Sequence, residues 1–80
     1  MTIKVLYFAS LREEIGRSAD ELEISNDQLP IGVTKLWQLV TSQNSFPENI
    51  LIAVNQEYTD QHANINDGDE VAFFPPVTGG

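Results

Sequence analysis

Asp67-Gly68-Asp69-Glu70-Val71-Ala72-Phe73-Phe74-Pro75-Pro76-Val77-Thr78-Gly79-Gly80 is the stretch on which the fold and the function both turn. With Asn66 before it, Asn-Asp-Gly-Asp is a strong turn signal. Glu70 to Phe74 then alternates as a strand, Val71 and Phe73 on one face, Ala72 and Phe74 on the other. Pro75-Pro76 ends that strand and forces an extended, polyproline-like exit. Working outward, Thr2 to Phe8 reads as a second strand. Ile3, Val5 and Tyr7 share one face, and Lys4, Leu6 and Phe8 the other.

Ser10-Leu11-Arg12-Glu13 has the S-x-x-E form of a capping box, which predicts a short helix from about Leu11 to Ile15 stopped by Gly16. Glu21 to Ser25 alternates and is expected to form a strand antiparallel to the first, with Leu22 and Ile24 inward. Asn26 to Gly32 has loop chemistry. Val33, Leu36, Trp37 and Val40 fall at i, i+3, i+4 and i+7, the apolar stripe of a helix over Val33 to Gln43 with Gly32 or Thr34 near its cap. Asn44 to Asn49 is expected to be a loop. Ile50 to Asn55 is an apolar run of strand length, and Asn55-Gln56 predicts a tight turn into a short strand near Tyr58.

One sizeable helix covers only one face of a four-stranded sheet. The class is therefore α+β, a mixed sheet with one main helix packed on one face. This is the plan of the ubiquitin-like β-grasp, whose first and last strands lie parallel at the sheet centre. The expected division is one domain over 1–75 and an extended tail over 76–80.

Composition narrows the function. The 80 residues are 41% hydrophobic and 20% charged, a globular mixture. No apolar run approaches the ~18 residues of a membrane span, and MTIKVLYFAS lacks the pattern of a secretory signal, so a cytoplasmic location is expected. Twelve acidic against four basic residues give a formal charge of -8. Such a chain is repelled by phosphate backbones and anionic lipids, so neither nucleic acid nor membrane is an expected partner, whereas a basic protein is. Without cysteine, disulfides, thiolate nucleophiles and cysteine-ligated metals are excluded. The single histidine, His62, has no second histidine to share a metal. No nucleophile–base pair and no phosphate loop is visible, so the chain is not expected to be an enzyme alone.

The strand alternation leaves an apolar surface. If Ile3, Val5, Tyr7, Val71 and Phe73 face the helix, then Leu6, Phe8, Ala72 and Phe74 face away, joined by Leu51 and Ala53. Exposed patches of several hundred Å² usually mark binding surfaces. The competing arrangement folds the short helix or Gln61 to Asn66 over this face. Tyr58 and Trp37 are expected to be core or partly buried, and Asp20, Glu21 and Glu23 to form a solvated face or to meet a basic partner. Asn64 to Glu70 does not fit a calcium loop, because Asp69 stands where an EF-hand starting at Asn64 needs glycine.

The tail is built for a narrow channel. Five residues from Pro76 reach at most ~17 Å, and Gly79 and Gly80 carry no side chains. The Gly80 carboxylate is expected to be the reactive handle, an acyl donor once joined to a phosphate-containing leaving group.

IKVLYFASLRE at Ile3–Glu13, AVNQEY at Ala53–Tyr58 and above all DGDEVAFFPPVTGG at Asp67–Gly80 make the sequence resemble the family of molybdopterin synthase small subunits, ubiquitin-like sulfur carriers also called molybdopterin-converting factor subunit 1. Residues Asp20 to Asn49 match chiefly by spacing. The resemblance implies a β-grasp whose terminal glycine, here Gly80, is adenylated and then converted to a thiocarboxylate, with Gly79 as the narrow penultimate residue. It implies that Phe8, Arg12, Phe74, Pro75, Pro76, Val77 and Thr78 meet the partner, Arg12 in an interface or structural role. The implied partners are the large catalytic synthase subunit, in a heterotetramer, an ATP-dependent adenylating enzyme, and a sulfurtransferase or cysteine desulfurase. No cofactor is implied on this chain, since ATP is used by the activating enzyme. Sulfur would pass to cyclic pyranopterin monophosphate to form the molybdopterin dithiolene. A ubiquitin-like protein modifier and a thiamine-pathway sulfur carrier, which share the terminal Gly-Gly, stay open as alternatives.

Overall fold

The computed structural model describes residues 2–28, 30–42 and 50–75. The loop expected at 44–49, the helix end at Gln43 and the tail at 76–80 lie outside the described residues. The chain runs β1 (Thr2–Tyr7), α1 (Ser10–Ile15), β2 (Ala19–Glu23), a 3-10 turn (Asn26–Gln28), β3 (Ile31–Gly32), α2 (Val33–Thr41), β4 (Leu51–Val54), β5 (Glu57–Thr59), β6 (Asn64–Ile65) and β7 (Glu70–Phe74). Five strands form one mixed sheet in the order β2-β1-β7-β4-β5. The first and last strands are its parallel centre, with Val5 opposite Val71 and Tyr7 opposite Phe73. The other neighbours pair antiparallel.

Periodicity places the core. Ile3, Val5, Tyr7, Ile52, Val71 and Phe73 of the sheet and Val33, Leu36, Trp37 and Val40 of α2 are all buried. Trp37 meets the Phe73 ring edge-on, centroids 5.0 Å apart and planes 74° apart, the arrangement that ring quadrupoles favour. Leu11 of α1 is buried in the same cluster.

Several expectations need correction. The sheet has five strands rather than four, because Glu57 to Thr59 pairs fully with Ile52 to Val54. β2 begins at Ala19 and ends at Glu23, where pairing with β1 stops. The stretch expected as loop before α2 contains a 3-10 turn and β3, whose Ile31 pairs with Ile65 of β6. The capping box at Ser10 does not form. The cap is Ala9, with no side-chain cap hydrogen bond, and Ser10 is already helical. Gly16 does end α1 in the left-handed conformation, φ 84°, its N–H donating to the Arg12 carbonyl.

Asp20 is not simply a solvated acid. Its Oδ2 accepts from the Tyr7 hydroxyl at 2.8 Å and from Arg17 Nε at 2.9 Å. Arg17 Nη2 also donates to the Val40 carbonyl at 2.9 Å. Three side chains thus tie β1, β2 and the last turn of α2 together. Alternation put Asp20 on the inward face with Leu22, where a carboxylate needs a partner.

The Asn55-Gln56 turn has φ of 52° and 71°. Two positive values in a two-residue hairpin are the type I′ geometry, which glycine fits best at the second position. Gln56→Gly should therefore raise the denaturation midpoint, a gain of about 1 kcal/mol from relieving the left-handed conformation, with an unchanged m value in urea. The clamp predicts a pH effect. Burial raises the Tyr7 pKa well above its usual value, helped by the bond it donates to Asp20 and by the charge of Asp20, against the opposing effect of Arg17. A hydroxyl whose folded pKa exceeds the unfolded one stabilises fully below about pH 10 and loses that contribution as pH rises further. Stability measured from pH 9 to 12 should fall more steeply for the native chain than for Tyr7→Phe.

Candidate docking site

Register builds the face opposite α2. Leu6, Ala72 and Ala53 are consecutive partners across β1, β7 and β4. Ala53 is in turn opposite Tyr58 of β5. The next row up holds Phe74 opposite Leu51. Phe8 lies beside it, one residue beyond β1, its N–H donating to the Phe73 carbonyl at 3.2 Å.

The two phenylalanines are stacked, ring centroids 4.6 Å apart and planes 9° apart. Tyr58 leans toward Phe74 at 6.0 Å. Phe8 is 40% exposed, Leu51 37% and Tyr58 74%. The sequence-based placement of Tyr58 as core or partly buried is therefore wrong. β5 is an edge strand, and its middle side chain lies on the face opposite α2. The signal was available in its pairing with Ala53, which already belonged to the outward set.

The competing cover is not supplied by either of the two segments that were its candidates. Leu11 turns α1 into the core on the α2 side. Within Gln61 to Asn66, Asn64–Ile65 pairs with β3 and Ile65 is fully buried, while the Ala63 carbonyl accepts from Val33 at the start of α2. Both segments serve the helix side of the sheet.

The face is concave. A groove of about 350 Å³ is lined by Leu6, Phe8, Ala53, Tyr58, Ala72 and Phe74, with Gln56 and Glu70 at its polar end. The two alanines make the depression, since a longer side chain at either would fill it. Of the residues expected to meet a partner, Phe8 and Phe74 are brought together here, and Pro75 follows Phe74 half-buried. Arg12 is exposed on α1 and does not line the groove. Pro76, Val77, Thr78, Gly79 and Gly80 lie outside the described residues.

The bend after Phe8 is strained. Ala9 has φ 53° and ψ -130°, a glycine-like conformation. It is held by Leu11 and Arg12, whose N–H groups donate to the Phe8 and Ala9 carbonyls at 3.2 and 3.1 Å. Such a residue costs on the order of 1–3 kcal/mol and tends to sit at functional positions. Here it fixes where the chain leaves β1 and hence where Phe8 points.

Among the described residues, no group of three metal-binding side chains is close enough to hold an ion. No helix there is long and apolar enough to cross a membrane.

Comparison with known proteins places this architecture. The model of the ThiS family matches residues 5–80. The molybdopterin synthase sulfur carrier subunit of Escherichia coli is 39% identical over 84 residues, covering 98% of this chain and 99% of that one. A solved structure from Pyrococcus furiosus, a putative molybdopterin converting factor subunit 1, superposes with TM-score 0.74 at 29% identity, covering 96% of this chain and 99% of that one. The small-subunit fold also appears in the complex of subunits 1 and 2 of the molybdopterin-converting factor from Helicobacter pylori, with TM-score 0.63, 21% identity and full coverage of both chains. The ubiquitin-like β-grasp expected from the order of elements is thus the fold of these proteins, and with a family match that runs through Gly80 the chain belongs to the ThiS family, among its molybdopterin synthase sulfur carrier subunits.

Proposed function

We infer that this chain is the sulfur-carrying small subunit of molybdopterin synthase, and that its uncovered apolar face seats it on the large subunit while the terminal glycines reach the reaction. The observation that carries this is the stacked Phe8–Phe74 pair at the end of β7, where the chain passes through Pro75 toward Gly79-Gly80. The Helicobacter pylori complex of subunits 1 and 2 supports a large-subunit partner. The family match through Gly80 supports the terminal glycine as the working end.

The chemistry follows from what a carboxylate needs. A carboxylate is a poor electrophile. An oxygen of the Gly80 carboxylate attacks the α-phosphorus of ATP on an adenylating enzyme, and pyrophosphate leaves. The terminal sulfur of a persulfide carried by a sulfurtransferase or cysteine desulfurase then attacks the acyl carbon and AMP leaves, giving an acyl disulfide. A thiol attacks the carrier's sulfur, the S–S bond breaks, and the thiocarboxylate departs while the carrier is left as a disulfide. The thiocarboxylate is the sulfur donor to cyclic pyranopterin monophosphate in the large subunit, and the carboxylate returns when water takes the sulfur's place. Each step occurs on the acyl end. The β-grasp domain supplies recognition, and Gly79 and Gly80 leave room for a channel no wider than a backbone.

Mass spectrometry of the intact protein tests the carrier role. Exposure to the activating enzyme, ATP and a sulfur source should add ~16 Da, with fragmentation placing it on Gly80 rather than on the methionine. Deleting Gly80 should abolish the shift and molybdopterin formation. A deleted chain that still supports formation refutes the role. Phe74→Ala should weaken binding to the large subunit by about 1–3 kcal/mol in calorimetry, as expected of an aromatic anchor.

A further inference from the structure

The polar end of the groove singles out Glu70. Its Cα partner in β1 is Lys4, and Lys4 is also opposite Glu21 of β2. Two acidic residues therefore flank one lysine in that row. Among the described residues Glu70 forms no ion pair, the Arg17–Asp20 bridge being the one found. Its backbone is nonetheless held on both sides by one residue. The Glu70 N–H donates to Asn55 Oδ1 at 3.0 Å, and the Asn55 N–H donates to the Glu70 carbonyl at 2.7 Å. Asn55 Nδ2 donates in turn to Asp69 Oδ1 at 2.9 Å. Glu70 thus starts from a fixed point, at the end of a groove floored by Ala53 and Ala72.

A partner covering this face would take the Glu70 carboxylate out of water. An unpaired carboxylate in such a place is costly, so the occupant must bring a cation. The shape says which kind. From Ala72 to Glu70 is two strand residues, about 7 Å. That length suits a side chain whose methylene stem lies on the alanines while its planar head pairs with a carboxylate and lies against an aromatic ring. Tyr58 supplies the ring at the groove wall. The net charge of -8 favours a basic partner surface overall.

We propose that the groove is a socket for one arginine side chain of the large subunit, with Ala53 and Ala72 as its floor and Glu70 as the residue that selects the cation. This rests on the docking role inferred above and adds the chemistry of the contact. Calorimetric titration of the full chain with its cognate large subunit, at about 50 and about 300 mM salt, tests it. Glu70→Gln should raise the dissociation constant roughly tenfold at low salt and flatten its salt dependence, since one charge of a close pair is lost. Phe74→Ala should weaken binding while leaving the salt dependence as in the native chain. If Glu70→Gln binds with native affinity and native salt dependence, the socket is refuted and the docking face stands. Tighter binding by Glu70→Met would show an apolar occupant and refute it equally. If the native chain fails to bind the large subunit, both the docking role and the socket fall.

Discussion

The parallel pairing of β1 with β7 is the constraint from which the rest follows. Both strands carry apolar residues on both faces, as central parallel strands usually do because each face is normally covered. Here α2 has nine residues, about 14 Å of helix. It lies against one face of a five-stranded sheet. Trp37, Leu36 and Val33 bury Phe73, Val71 and Ile3 on that side. Leu6, Phe8, Ala72 and Phe74 are then left outward by the same alternation that buries their neighbours. The core and the grooved face are two sides of one pairing.

Among the described residues, three of the four non-glycine positions with positive φ border the face opposite α2, and the fourth, Ser42, caps α2. Ala9 bends the chain just after Phe8, and Asn55 and Gln56 turn β4 into β5 beside the groove. Each takes a positive φ that glycine would adopt without cost. The hydrogen bonds around them keep these bends in place: Leu11 and Arg12 donate back to Phe8 and Ala9, and Asn55 exchanges two bonds with Glu70. The aromatic end and the acidic end of the groove are each fixed by a strained turn next to them. A family match and a shared fold identify the carrier, and these local bends explain how it presents its surface.

Much of this was readable from residue pattern alone. The strands at Ile3, Val5 and Tyr7 and at Val71 and Phe73, the stripe Val33, Leu36, Trp37, Val40 and the outward set Leu6, Phe8, Ala72 and Phe74 followed from periods of two and 3.6, and the Asn55-Gln56 turn from its residue types. What escaped were features set by long-range pairing. β3 and β6 are two residues each, too short for any alternation to register, and exist because Ile31 meets Ile65. Tyr58 looked like core material by type, but an edge strand decides exposure by register. Ser10 fitted a capping box by spacing, yet the chain had already entered the helix after the bend at Ala9. Asp20 was legible only as one of several acids until its phenol and guanidinium partners, distant or differently oriented along the chain, came into place. Arg12 was assigned by resemblance, and its exposed place on α1 outside the groove gives that assignment no support from groove geometry.

The position of β7 has a mechanical consequence. A pull on the chain beyond Phe74 acts along a strand bonded on both edges, to β1 on one side and β4 on the other. The load is shared in shear across two ladders at once instead of unzipping one bond at a time. An edge strand such as β5, tethered on a single side, would peel under the same load. In the role proposed above, an end that is drawn into one active site, released and drawn into another would leave the domain at the strand that yields last.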